Sequence, residues 1–181
     1  MGLFAKLFGK KEEKPKPEES QKDERITFDS PHGKFYYINN VNEIGYECDT
    51  DWYPDRSGMD SVGAYIDTDT PETTEAKQCY ARLEALFADK ERIDSEVKRL
   101  AAAYFMSKPE LLLVKRSQEE QIAHTKLLSI SVYRNGDASF LLDMTWADAD
   151  LIIVYFKADG SREITYHTGE RETFKECCEK L

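Results

Sequence analysis

The sequence has few residues that could build a disulfide framework, a zinc site or a membrane span. It contains four cysteines and three histidines in 181 residues. Cys48, Cys79, Cys177 and Cys178 form neither a CxxC pair nor a spacing typical of zinc ligands. No apolar run approaches the roughly 20 residues that a spanning helix needs. These absences argue against a zinc module and a spanning protein, and they favour the cytoplasm, where thiols stay reduced.

Enzyme signatures are missing as well. There is no GxSxG elbow, no GxxxxGK[ST] phosphate loop, no GxGxxG and no HExxH. His32, His124 and His167 are predicted in a turn, a short helix and a strand end, where no pattern pairs them with a nucleophile. A pairing formed only in space stays open. The sequence therefore favours a non-catalytic protein without a cofactor and leaves the enzyme question open.

Positive charge is scarce outside the first 25 residues. The formal net charge is −10; residues 1–25 carry seven Lys/Arg against six Asp/Glu, so residues 26–181 carry −11. Such a surface repels the phosphate backbone, whose neutralisation by Lys and Arg provides most non-specific nucleic-acid affinity. The sequence predicts no nucleic-acid partner, and a basic protein partner fits the charge best.

Residues 1–25 are predicted to form a disordered charged tail with a short amphipathic start. Leu3, Phe4, Leu7 and Phe8 share one helical face, with lysines beside them, and "KKEEKPKPEESQKDE" follows without aromatics. The apolar core of a secretory signal is absent. Two interpretations stay open: a solvated tail, or a weak handle for an anionic membrane or a partner groove.

Residues 26–181 are predicted to form a single α+β domain. Short alternating runs around Ser30–Gly33, then "EIGYECD" and "SVGAYID", predict an N-terminal antiparallel meander. Two apolar stripes at helical spacing follow within residues 70–106, and Ser117 and Glu120 have capping-box spacing. The motifs "RNGD" and "ADGS" predict two C-terminal hairpins. We expect an antiparallel sheet with the central helices on one face and a short C-terminal helix in "ETFKECCEKL".

Two acidic segments with aromatic residues are the candidate sites. The loop "CDTDWYPDRSGMD" and the segment "DMTWADAD" combine residue types enriched at interaction hot spots with a field that attracts a basic partner. The predicted partner-binding residues are Trp52, Tyr53, Asp55, Trp146 and Asp148. The alternative is that both tryptophans cap the core.

The second segment also suggests a cation site. Asp143, Asp148 and Asp150 lie close in sequence, and Asp148 and Asp150 would point to the same face of a strand. Clustered carboxylates bind hard cations, so a metal-assisted hydrolase is the alternative function. A polar connection between two strands explains the same residues.

Part of the chain resembles a bacterial domain-of-unknown-function family, number 2262. The run Ser129–Val132, the turn Asn135-Gly136 and the strand Ile152–Val154 match its hairpin and following strand, within a resemblance over residues 26–165. Where the family has a Gly-His step, this chain has Ala149-Asp150, so no role of that histidine carries over. The resemblance implies a small cytoplasmic bacterial domain and supplies no catalytic residues.

Overall fold

The strands lie side by side in the order in which they occur in the chain. The structure, a computed structural model, describes residues 26–41, 43–55, 61–149 and 151–167. The predicted tail with Leu3, Phe4, Leu7 and Phe8, the predicted C-terminal helix and Asp150 lie outside the described residues. The described part forms an eight-stranded sheet with strands β1 Thr27–Ser30, β2 Gly33–Asn39, β3 Ile44–Thr50, β4 Val62–Asp67, β5 Thr125–Val132, β6 Ala138–Met144, β7 Leu151–Phe156 and β8 Arg162–His167.

The helices connect the two halves of the sheet. They are α1 Thr73–Ala88, α2 Lys90–Met106 and α3 Gln118–Ala123, with a 3-10 turn at Pro109–Leu111. The predicted capping box is present at α3, where Ser117 and Glu120 each accept the other's backbone N–H. Among the described residues, no helix combines the length and the apolar character that crossing a membrane requires.

The α+β class is confirmed, but the sheet is not antiparallel throughout. Neighbouring strands are antiparallel except for β4 and β5, which are parallel with Ala64 opposite Ile130. A parallel pair needs a long crossover, which the helical segment between β4 and β5 provides. The sequence analysis did not predict this pairing, because strand direction depends on how a connection packs and not on the strand's own residues.

Local turn chemistry produced the C-terminal hairpins as predicted. β5 pairs with β6 around Asn135-Gly136, and β7 pairs with β8 around Asp159-Gly160. Gly136 has φ +86°, a conformation that residues with a Cβ rarely adopt. The Tyr133 N–H donates to the Asp137 carbonyl at 3.0 Å and closes the first turn.

The core lies between the helices and one face of the sheet. Ala64, Ile130, Phe140 and Val154 are direct cross-strand neighbours on consecutive strands, and all are buried. α1 contacts β4 and β5, α2 contacts β7, and buried side chains of both helices join the same apolar cluster. Since side chains alternate along a strand, the intervening residues lie on the other face of the sheet.

Candidate functional site

Trp52 does not form part of the surface. Its side chain is only 2% exposed, and its ring packs edge-to-face against Phe87 of α1 with centroids 4.9 Å apart. Lys90 donates to the Trp52 carbonyl at 3.1 Å, which ties the loop to the start of α2. A buried ring cannot be the exposed anchor that the sequence analysis expected; it fills the core beneath the junction of the two helices.

Tyr53 and Asp55 follow in the same loop. The Tyr53 hydroxyl donates to the carboxylate of Asp94, and the Lys98 ammonium lies 5.3 Å from the centre of the Tyr53 ring. Lys98 also pairs with Asp94 at 2.8 Å. These contacts brace the half-buried Tyr53 against α2, whereas Asp55 is exposed.

Trp146 is buried as well, at 1% exposure. Its indole N–H donates to the Gln121 carbonyl at 3.2 Å, and its ring packs edge-to-face on Phe105. The backbone N–H of the exposed Asp148 donates to the Leu111 carbonyl at 2.7 Å. The segment thus joins the core to the 3-10 turn, and Trp146 is not available as the exposed partner anchor that was expected, because its ring packs in the core.

The structure describes only two of the three candidate metal ligands. Asp143 lies on β6 opposite Lys126, Asp148 lies in the segment after β6, and Asp150 is outside the described residues. Among the described ranges, no three His, Cys, Asp or Glu side chains are grouped so that they could hold a metal ion. The structure therefore adds no support to the metal-assisted hydrolase.

A cluster of side chains around His32, which the sequence did not reveal, lies beside Trp52. The His32 ring stacks on Phe87 with centroids 3.8 Å apart, Nδ1 is 3.0 Å from Asp51 Oδ1, and Nε2 is 3.1 Å from Glu84 Oε1. Tyr80 donates to Glu84, and burial together with this bond raises the pKa of Tyr80 to about 12. Both ring nitrogens are engaged, so His32 joins the β1–β2 turn to α1 as a structural contact.

A broad concave surface lies on the sheet face away from the core. It is a groove of about 920 Å³ that crosses strands β2 to β5. Among the described residues, its lining contains carboxylates, tyrosines and serines but neither Lys nor Arg: Tyr36, Glu43, Glu47, Asp49, Gly63, Tyr65, Asp67, Ser129, Ser131 and Tyr133. Cys48 and Ala64 also line the groove, although both are cross-strand neighbours buried in the core. We call this surface the acidic groove.

The strand register assembles the groove. Tyr36, Glu47, Tyr65 and Ser131 are direct neighbours on four consecutive strands, so their side chains form one row across the face. Such neighbours have Cβ atoms roughly 5 Å apart. Residues from four separate segments of the chain therefore meet in a single surface.

Two glycines shape the groove in different ways. At Gly45 a Cβ would lie 2.3 Å from the Ile66 carbonyl and 2.8 Å from the Tyr65 hydroxyl. The absent side chain lets Tyr65 lie across β3 and donate to the Ile44 carbonyl at 2.5 Å. At Gly63 the nearest atom is 3.7 Å away, so this position leaves space in the floor of the groove.

The electrostatics of the groove favour a cation. Glu43, Glu47, Asp49 and Asp67 contribute four carboxylates; Ser61 donates to Asp49 at 3.0 Å, and Arg134, which lies outside the lining, pairs with Asp67 at 3.2 Å. Burial, and next the charge of Asp67, raise the pKa of Tyr65, so its hydroxyl stays protonated at neutral pH. The groove offers carboxylate acceptors and aromatic rings, both of which attract ammonium and guanidinium groups.

The sequence analysis missed this surface, although a signal was present. Tyr36, Glu47, Tyr65 and Ser131 occupy the polar positions of alternating strands, whereas the predicted site lay in the loops that contain tryptophan. Only the register shows that these positions are adjacent.

Comparisons with protein-family models, with curated proteins and with solved structures find no match for this chain. The resemblance to family 2262 stays a prediction, and the acidic groove rests on its geometry alone.

Proposed function

We propose that this protein is a non-catalytic module that binds a positively charged segment of a partner protein in the acidic groove. The observation that carries the proposal is a concave surface whose described lining residues include four carboxylates and three tyrosines but no Lys or Arg. The predicted basic partner is retained, but its binding surface moves from the tryptophan loops to the open face of the sheet.

Charge supports the proposal at two distances. Within the groove, a Lys or Arg side chain would contact carboxylates such as Glu47 and the ring of Tyr65, whereas the ring of Tyr36 already has the Lys34 ammonium 5.9 Å from its centre. Each exposed ion pair contributes up to about 1 kcal/mol and each cation–π contact about 0.5–1 kcal/mol. At longer range, outside the groove, the net charge of −10 increases the rate of encounter with a basic partner.

The cytoplasm is part of the proposal. Cys48 and Cys79 are both free thiols in the buried part of the domain, an arrangement suited to a reducing compartment. The bacterial origin that the resemblance to family 2262 implies belongs to the proposal as well.

The test is fluorescence anisotropy with labelled twelve-residue peptides, one rich in Lys and Arg and one in which Ser replaces every basic residue. We expect the basic peptide to bind and the neutral peptide not to bind. The affinity should fall as salt is raised, because exposed charges are screened over about 10 Å at 0.1 M ionic strength.

Charge reversals locate the site. Glu47→Lys should weaken binding of the basic peptide about tenfold, since it replaces an attraction by a repulsion in the groove. Glu110→Lys makes the same change of charge on an exposed residue outside the groove lining and should have little effect. Equal losses of affinity in the two variants would show that only net charge acts. A third variant, Asp55→Lys, tests the loop that contains Trp52. If only this variant lost affinity, the binding site would lie in that loop and not in the groove.

A further inference from the structure

An apolar surface continues the acidic groove on the same face of the sheet. Ser129 lines the groove, its neighbour on β6 is Leu141, and the neighbour of Leu141 on β7 is Ile153. Leu151, two residues before Ile153 on β7, is 37% exposed. Leu128 is 43% exposed at the irregularity in β5, where the register shifts between Leu127 and Ser129. We call Leu128, Leu141, Leu151 and Ile153 the apolar strip.

We propose that the partner segment has cationic residues at one end and apolar residues at the other, so that it occupies the acidic groove and the apolar strip together. This inference rests on the proposed function. Its basis is the continuity of the two surfaces: Glu47 and Tyr65 lie on β3 and β4, the groove serines lie on β5, and Leu141 and Ile153 lie on β6 and β7.

Strand spacing gives the distance between the two ends. Neighbouring strands lie about 4.8 Å apart, so Glu47 on β3 and Ile153 on β7 are separated by four spacings, or about 19 Å. An extended chain advances about 3.3 Å per residue, and six residues therefore cover this distance. The preferred ligand is an extended segment with its basic and apolar blocks centred about six residues apart.

A second copy of this chain fits the surface less well. Two copies of the acidic groove would face each other with like charge, which disfavours close approach. The apolar strip alone offers few side chains for a stable interface. Charge complementarity favours a basic partner over self-association.

The test compares three labelled peptides of equal length: a Lys/Arg block followed by a Leu/Ile block, the same basic block followed by Ser, and a Ser block followed by Leu/Ile. The first peptide should bind the full chain about tenfold more tightly than the second, which corresponds to about 1.4 kcal/mol. The third should bind weakly or not at all.

Variants of the apolar strip test whether the tighter binding of the first peptide depends on this surface. Leu141→Thr and Ile153→Thr keep residues that suit a strand; each should abolish most of the advantage of the first peptide while leaving the second peptide unchanged. Leu113→Thr, at a position 62% exposed outside both surfaces, is the matched control and should preserve the advantage. Circular dichroism and binding of the second peptide show that the variants are folded.

The outcomes separate the two proposals. If the second peptide binds and the Leu/Ile block adds nothing, the further inference is refuted and the proposed function stands. If neither basic peptide binds, the proposed function fails. Equal loss in Leu113→Thr, or concentration-dependent mass in sedimentation that Ile153→Thr removes, would also overturn the inference, in favour of non-specific contact or of self-association.

Discussion

Alanine at Gly45 and alanine at Gly63 should have opposite effects on stability. In Gly45→Ala the new methyl would lie 2.3 Å from the Ile66 carbonyl, which is backbone and can move only if strand β4 shifts. Overpacking of this kind costs about 1–3 kcal/mol. In Gly63→Ala the nearest contacts are the Ser129 Cβ at 3.7 Å and the Leu128 carbonyl at 4.0 Å, ordinary van der Waals distances. Here the reduced freedom of the unfolded chain should stabilise the protein by about 0.4–1 kcal/mol.

The assay is urea unfolding at pH 7 monitored by tryptophan fluorescence, since both tryptophans are buried. With m values of about 1–3 kcal/mol/M, the midpoint of Gly45→Ala should fall by roughly 0.5–2 M and that of Gly63→Ala should rise slightly. The comparison controls for the chemistry of the change, because both variants replace the same residue by the same residue on adjacent strands. A stable Gly45→Ala, or a Gly63→Ala that loses more than about 1 kcal/mol, would refute the close approach of β3 and β4 that shapes the groove.

Three further predictions concern the core, a thiol and a turn. Trp146→Ala should lower the free energy of unfolding by about 3–5 kcal/mol and Trp146→Phe by about 1 kcal/mol for the lost bond to Gln121; urea midpoints near wild type would mean that the ring is on the surface. Burial, followed by the charge of the adjacent Asp49, raises the pKa of Cys48 to about 12, so in folded protein at pH 8 iodoacetamide should label it on the order of 10³ times more slowly than an ordinary thiol; equal labelling by peptide mass spectrometry in folded and urea-unfolded protein would contradict this. The pKa of the Asp137 carboxyl is lowered, first by the backbone N–H that it accepts from residue 158 and also by Lys157, so its stabilisation is complete above about pH 4 and is lost as pH falls through the lowered pKa. The urea midpoint of Asp137→Asn should be lower than that of wild type at pH 7, and the difference should shrink towards pH 3; a constant difference would exclude the role of charge.

The elements that could be predicted are those with local causes. Asn135-Gly136 and Asp159-Gly160 predict hairpins because glycine tolerates the turn conformation, and both hairpins are present. The Ser117–Glu120 capping box is present because its bonds join residues three positions apart. The parallel pairing of β4 and β5 was not predicted, because it depends on where the helical crossover returns to the sheet.

The candidate site shows more clearly what sequence alone cannot predict. Trp52 and Trp146 are attractive as partner anchors in sequence, but aromatic residues beside Asp are equally compatible with a ring that turns inward. Phe87 and Phe105, from helices distant in sequence, pack against them. Burial of this kind depends on long-range packing, which neighbouring residues do not encode.

The amino-acid sequence by itself determined the α+β class, the acidic surface and the turns, because composition, alternation and capping act between residues close in the chain. Only the tertiary structure decided that the tryptophans are buried and that Tyr36, Glu47, Tyr65 and Ser131 form one surface. The physical reason is register: each of these residues comes from a different strand, and cross-strand pairing sets which side chains meet.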